Sequence, residues 1–214
     1  MRNSILFLSF LLFSVSTFAQ ELTAEQYYKR GVAKLEHNNA KSAIEDLSKA
    51  IEKDAKYVDA YYKRAEAYFT LKSMNETVKD ITKAIELGGK DANGYYTRGF
   101  IYMKQGKKDE AFKDFSKCIE LDKENYEAYK YRAGIYMQDG EYMSAMQDYN
   151  IVLENNNKDI ESFLNRGICK AKLGDYNGAI SEFEKCIEIR ELQSKLYEQP
   201  KPKRRVKASV WCIA

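Results

Sequence analysis

The sequence predicts an all-α protein built from five helix pairs, and three observations support that prediction. The 214-residue chain has 2 prolines and 44% hydrophobic residues, which suits a helix-rich protein long enough to bury a core. Apolar residues recur at helical spacing. An arginine also recurs every 34 residues without insertion or deletion, at Arg30, Arg64, Arg98, Arg132 and Arg166. A period of this length indicates stacked helical units.

The first 19 residues are predicted to be a signal peptide. Arg2 supplies the positive end, residues 5–18 are nearly all apolar, and Ala19 is the small residue at a cleavage site that would expose Gln20. The apolar run is shorter than the ~20 residues that cross a bilayer, so cleavage is favoured over a retained anchor. No cysteine follows the run, so lipid attachment is not expected. We therefore expect an exported protein of the periplasm or the extracellular space.

Small and large apolar residues also repeat in phase with the arginine. The residue after each arginine is small, namely Gly31, Ala65, Gly99, Ala133 or Gly167. Twelve residues further on come Ala43, Thr77, Ala111, Ala145 and Ala179, and four beyond these come Leu47, Ile81, Phe115, Tyr149 and Phe183. Small residues allow two helices to approach closely, and the large ones are expected to fill the space between neighbouring pairs.

Each period is predicted to contain a helix, a tight turn and a second helix. In the third period one apolar stripe comprises Tyr95, Gly99 and Tyr102, and the next comprises Ala111, Phe112, Phe115, Cys118 and Ile119. Gly106 lies between them and is matched by Gly140 and Gly174. Glycine at such a point takes the left-handed conformation that ends a helix.

These residues resemble the tetratricopeptide repeat (TPR) family, over units 24–57, 58–91, 92–125, 126–159 and 160–193. The resemblance implies a right-handed superhelical α-solenoid that binds proteins. The proline that is usual near the end of a unit is absent from all five, and the second unit departs most, with Thr77 at a small-residue position and Gly88-Gly89 at its end. The end of the leader, residues 16–20, resembles that of exported Bacteroidota proteins.

An acid follows each periodic arginine after sixteen residues, namely Asp46, Asp80, Asp114, Asp148 and Glu182. A charge beside the core is costly unless it has a partner. We therefore predict an interhelical ion pair in every unit, with a bidentate contact from arginine to carboxylate. Because the pair recurs in every unit, we interpret it as structural, setting register more than adding stability.

The chain offers little for catalysis. The only histidine, His37, falls in the first inter-helix turn with no serine or cysteine nucleophile placed beside it. No phosphate loop, dinucleotide fingerprint or HExxH motif occurs. Cys118, Cys169 and Cys186 are expected to pack in the core, and no CxxC pair exists. We expect no enzyme, no cofactor and no metal site, and we leave open whether Cys212 pairs between chains.

The face of the first helices opposite the core stripe is predicted to line a concave, tyrosine-rich groove. Its members are Tyr28, Tyr62, Phe69, Tyr96, Phe100, Met103, Tyr131 and Met137. Aromatic strips of this kind are typical of protein interfaces, which predicts a non-enzymatic scaffold for a protein or peptide. The alternative is a glycan- or cell-wall-binding module that uses the same aromatics. The Lys/Asn/Arg clamp of chaperone-binding relatives is missing, since Tyr28, Val32, Tyr62 and Lys63 stand at those positions.

After the fifth unit, residues 194–199 are predicted to form a short cap helix, because Tyr197 falls at a packing position and Pro200 and Pro202 follow. Residues 200–214 are expected to be a basic, flexible tail. An alternative makes this segment a docking peptide that meets an anionic lipid or an acidic partner while Trp211 and Ile213 become buried.

The positive charge of the chain is concentrated in that segment, at Lys201, Lys203, Arg204, Arg205 and Lys207. Without these and Arg2, the formal net charge falls from +3 to −3. The body of the chain therefore lacks the basic surface that nucleic-acid binding requires, so we expect no nucleic-acid partner. Membrane contact is expected only through the basic segment, and the oligomeric state stays open.

Overall fold

A computed structural model describes residues 21–198, with side chains through residue 195. This part of the chain has ten α-helices and no strand. They are α1 (Ala24–Glu36), α2 (Ala40–Lys53), α3 (Val58–Thr70), α4 (Met74–Glu86), α5 (Ala92–Lys104), α6 (Lys108–Leu121), α7 (Tyr126–Gln138), α8 (Tyr142–Asn155), α9 (Ile160–Lys172) and α10 (Tyr176–Glu198). The predicted signal peptide, the basic segment 200–214 and Cys212 lie outside the described residues.

The chain divides after Leu87 into two compact units. In the first unit α1 packs on α2, α2 on α3, and α3 on α4. In the second unit the same succession runs from α5 to α10. Consecutive helices thus pack in pairs, and each pair packs on the next within its unit. The predicted all-α fold of helix pairs is confirmed.

Local sequence explains where these helices begin and turn. At the start of α1 the hydroxyl of Thr23 accepts the amide of Gln26 at 3.2 Å, and the Gln26 side chain accepts the amide of Thr23 at 2.9 Å. Side-chain oxygens also cap four later helices, from Asn39, Asp91, Asn125 and Asp159. The turn within each pair has one residue with positive φ, namely Asn38, Lys72, Gly106, Gly140 or Gly174.

The close approach of paired helices requires the small residue after each arginine. A Cβ added at Gly99 would lie 3.1 Å from Cε1 of Phe115, and one at Gly167 would lie 2.6 Å from Cε1 of Phe183. Phe115 is fully buried, and Cys118, Tyr129 and Val152 belong to the same core cluster. The large apolar residues of the repeat therefore fill the space that the small ones leave.

The structure corrects the predicted end of the array. Residues 194–198 do not form a separate cap helix, because α10 runs without a break from Tyr176 to Glu198. The second helices of three earlier pairs stop one residue before their C-cap residues, which are Asp54, Asp122 and Asn156. Arg190 stands at that repeat position in α10. Arginine favours the helix interior more than aspartate and asparagine do, so the helix continues.

Candidate partner-binding surface

The predicted arginine–acid pairs are present in all five repeats. In each, Nε and Nη2 of the arginine donate to the two oxygens of one carboxylate. The distances run from 2.5 Å between Arg30 and Asp46 to 3.1 Å between Arg166 and Glu182. All five carboxylates are buried. This bidentate geometry fixes the first helix of each pair on the second.

Some of these arginines also reach the preceding repeat. Nη1 of Arg64 donates to Ser48 at 3.0 Å, and Nη1 of Arg166 donates to Asn150 at 2.7 Å. Arg132 makes the same contact with Ser116 at 3.5 Å. The sequence prediction did not include these acceptors, although the sequence has a polar residue sixteen positions before each of these arginines.

Hydrogen bonds from neighbouring cations favour the ionised form of two acids of this ladder, Asp46 and Glu182. Hydrogen bonds from Arg30 and Lys34 hold the pKa of Asp46 below its ordinary value. Burial raises the pKa of Glu182, but hydrogen bonds from Arg166 and Lys170 outweigh it, so that pKa is also lowered. Each guanidinium lies beside an aromatic ring. For example, Cζ of Arg132 lies 5.5 Å from the centroid of the Tyr129 ring. Each of these arginine and acid charges thus has an opposite charge within its own helix pair.

Four of the predicted groove residues meet in the second unit. Tyr96 and Phe100 of α5 pack against Tyr131 of α7, with ring centroids 6.0 and 5.6 Å apart. Tyr131 also stacks on the buried Phe115 at 5.4 Å, and Met103 packs on the same cluster. We call Tyr96, Phe100, Met103 and Tyr131 the α5–α7 aromatic surface. All four are half-buried, so each packs on the core and keeps part of its side chain exposed.

Partial burial of this surface makes the hydroxyl of Tyr96 harder to ionise. Desolvation, together with the neighbouring Tyr131, raises the pKa of Tyr96 to about 12. Like that of an ordinary tyrosine, its hydroxyl is neutral at physiological pH and can donate or accept a hydrogen bond. Aromatic rings with a polar tip that are held by other rings lose little conformational entropy when they contact a partner.

The other four predicted residues lie elsewhere. Met137 belongs to the next cluster of the second unit, where its sulfur accepts the hydroxyl of Tyr149 at 3.4 Å. Tyr28, Tyr62 and Phe69 lie in the first unit, and Tyr28 packs 5.0 Å from the loop residue Tyr57. Phe69 is exposed, and Tyr28 and Tyr62 are half-buried. The predicted set is thus divided between the two units.

Two residues at the repeat position of Tyr96 were not predicted to belong to the surface, because neither is aromatic. One is Lys130, whose ammonium lies 3.1 Å from Glu161 and 3.6 Å from both Glu127 and Asp159. The other is Leu164, which is exposed on α9. Burial lowers the pKa of Lys130, but its acidic neighbours outweigh it and the net shift is upward. Along this unit the position changes from aromatic to charged to aliphatic.

The cysteines of the described residues and the histidine lie in the core or at a helix end. Cys118 and Cys169 are buried, and burial raises the pKa of both thiols to about 11. Cys186 is half-buried beside the carbonyl of Ile160. His37 caps α1, with Nδ1 2.8 Å from the carbonyl of Ala33. Among residues 21–198 no group of three or more His, Cys, Asp or Glu is arranged to hold a metal ion.

The fold and the ladder together define a repeat protein made of helix pairs. Family models for the tetratricopeptide repeat match residues 92–125, 58–88 and 160–191, and a model described as TPR repeat matches 31–72. Together they span more than half of the 214 residues. The chain belongs to the tetratricopeptide repeat family.

Solved structures share this fold. YrrB, described as a TPR protein with an unusual peptide-binding site, is 21% identical with a TM-score of 0.72, over 81% of this chain and 92% of its own. MamA is 22% identical with a TM-score of 0.68, over 77% and 96%. A tetratricopeptide repeat protein from Parabacteroides merdae is 22% identical with a TM-score of 0.67, over 82% and 70%. No match was found among curated proteins.

Proposed function

We propose that this chain is a non-enzymatic scaffold that binds a protein or peptide on the α5–α7 aromatic surface. The observation that carries the proposal is the packing of Tyr96, Phe100 and Tyr131, whose rings hold one another while part of each stays exposed. Membership of the TPR family supports it, because repeats of this family generally bind proteins or peptides. The peptide-binding site named for YrrB supports it as well.

Binding on this surface needs no rearrangement of the helices. Covering exposed apolar area contributes about 25 cal/mol per Å², and rings that already pack on one another have little freedom left to lose. Lys130 and Glu127 lie on α7, the helix that carries Tyr131, and Glu161 lies on α9, so that these residues add charge beside the rings. In this proposal the rings supply most of the binding energy, and the charges discriminate between partners.

A photocrosslinking experiment tests where the partner sits. Met103 belongs to the aromatic surface, and Met143 is an exposed methionine on the second helix α8. Each is replaced in turn by a photoreactive amino acid in the full chain, which is expressed in its own cell and irradiated. We expect a protein or peptide adduct from position 103 and none from position 143. Adducts from position 143 alone would refute the assignment of the surface.

The alternative function is a glycan- or cell-wall-binding module. Sugars stack on open, flat ring faces, whereas the rings here are tilted at 50° and 69° to Tyr131, and one face of Tyr131 is covered by Phe115. This arrangement favours a peptide. Sedimentation of the full chain with purified cell wall provides the comparison. Binding that is lost on Phe100→Ala and retained on Phe112→Ala would instead favour the glycan module.

We further propose that the protein is exported and works in the periplasm or outside the cell. The support is the predicted leader at residues 1–19. Within residues 21–198 no helix is both long and apolar enough to cross a membrane. Mass spectrometry of the protein from fractionated cells is expected to find an N-terminus at Gln20 in the exported fraction. A chain that keeps Met1 and stays in the cytoplasm would contradict export.

A further inference from the structure

The last helix displays an apolar stripe to solvent. Tyr176, Ile180 and Ile187 follow one another at intervals of four and seven residues, which places them on one face of α10. They are 69%, 54% and 58% exposed. Phe183 is half-buried between them. We call these four residues the α10 stripe.

Earlier repeats show what normally covers this face. Ile119 and Leu153 stand at the repeat position of Ile187 and are 8% and 6% exposed. They pack in core clusters with residues of the next first helix, Tyr129 for Ile119 and Phe163 for Leu153. Phe112, at the position of Ile180, meets the ring of Tyr136 edge-on at 5.2 Å. In each case a first helix brings an aromatic side chain onto the stripe.

Beyond α10 the described residues contain no such first helix. The chain continues instead into a segment with the chemistry to replace it. Its basic residues are Lys201, Lys203, Arg204, Arg205 and Lys207, and its apolar ones include Trp211 and Ile213. The exposed acids Glu184, Glu188 and Glu191 lie on α10 beside the stripe. Opposite charges and matching apolar residues thus occur on neighbouring parts of one chain.

The segment is long enough to reach the stripe. Trp211 lies thirteen residues after Glu198, a span of up to ~43 Å when extended. Ile180 lies eighteen residues before Glu198, which is about 27 Å along a helix. Pro200 and Pro202 follow α10 in the sequence, and proline is poorly compatible with a helix interior, which favours a change of chain direction there.

We propose that residues 199–213 fold back along α10, with Trp211 and Ile213 on the α10 stripe and the basic residues beside Glu184, Glu188 and Glu191. The segment then takes the place that the first helix of a further repeat would occupy. It closes the apolar end of the array and prevents that end from recruiting another apolar surface.

Trp211 makes the proposal testable, because it is the only tryptophan in the chain. Its emission maximum and its quenching by acrylamide are measured in the mature chain that begins at Gln20 and retains the whole segment. We expect a blue-shifted, shielded tryptophan under native conditions and an accessible one in urea. The double variant Ile180→Ser/Ile187→Ser is expected to lose the shielding while its circular dichroism is unchanged, since both side chains are exposed.

Leu192→Ser is the matched control. Leu192 is an exposed leucine of α10 on a different side from the stripe, so its replacement is expected to leave the tryptophan signal unchanged. The charge-reversal variant Glu184→Lys/Glu191→Lys is expected to weaken the shielding, and so is high salt, because exposed charges are screened.

Four outcomes would overturn the proposal. The first is a native Trp211 as accessible to acrylamide as the unfolded one. The second is a stripe variant that leaves the shielding intact. The third is shielding that grows with protein concentration, which would make a second copy the occupant. The fourth is shielding that appears only with vesicles of phosphatidylglycerol and phosphatidylcholine, which would make a lipid surface the occupant.

Discussion

The second helices of the third and fifth repeats share one apolar pattern but not one environment. Phe115 and Ile119 of α6 are buried between their own pair and the next, while Phe183 is half-buried and Ile187 is exposed. The first repeat differs in the same way at its other end, since the Arg30 side chain is 47% exposed and that of Arg132 only 18%. A repeat sequence specifies which face is apolar, and the neighbouring repeat determines how much of that face is buried.

The largest expected effect concerns the phenylalanine of the second helix. Phe115→Ala removes a fully buried ring that also supports Tyr131, and we expect it to lower the free energy of unfolding by ~3–5 kcal/mol. Phe183→Ala removes a half-buried ring and should cost roughly half as much. Urea denaturation followed by circular dichroism measures both. Equal losses would show that the end of the array is covered in solution.

The ion-pair ladder provides the next comparison. Asp148→Ala leaves the mostly buried guanidinium of Arg132 without its carboxylate, and we expect a loss of about 3 kcal/mol. Asp46→Ala in the first repeat should cost less, because the more exposed Arg30 side chain keeps more of its hydration when the carboxylate is removed. The same denaturation assay applies, with the exposed acid Asp139 replaced by alanine as a control. A greater loss at Asp46 than at Asp148 would contradict this ranking.

Most of the fold followed from the 34-residue period, and the departures have local causes. Helix pairs and arginine–acid pairs depend on residue types at fixed spacing, which a sequence displays directly. We attribute the continuation of α10 to Arg190, at a position where the first, third and fourth repeats have Asp or Asn and the second has Gly88. The groove was harder to predict, because the exposure of a ring depends on which rings surround it. Tyr131 packs on Phe115 across a pair boundary, a contact that periodicity does not reveal.

The free energy of unfolding should depend on pH through Glu182, the acid of the fifth arginine–acid pair. The pKa of Glu182 is lowered by Arg166 and Lys170 in the folded state, so its contribution to stability is complete above the ordinary pKa of an unfolded glutamate, about 4.3. That contribution is lost as the pH falls through the lowered folded pKa. We therefore expect the stability difference between the native chain and Glu182→Gln to be constant from pH 8 to pH 6 and to shrink below about pH 4.3.

Urea denaturation at intervals between pH 8 and pH 3 measures that difference. Glu154→Gln serves as the control for the loss of one exposed carboxylate, since Glu154 is exposed on α8. If the stability difference between the native chain and Glu182→Gln grows as the pH falls, the pKa of Glu182 is raised in the folded state and the prediction is wrong.

The smallest expected effect concerns the end of α10. Arg190→Gly places a poor helix former where earlier repeats end their second helix, and residues 191–195 are all exposed. We expect the amides of residues 191–198 to lose hydrogen-exchange protection, while the free energy of global unfolding changes by no more than about 1 kcal/mol. Arg190→Ala removes the same charge but keeps a strong helix former, so it should retain the protection. If both variants lose it, the arginine side chain rather than helix propensity extends the helix.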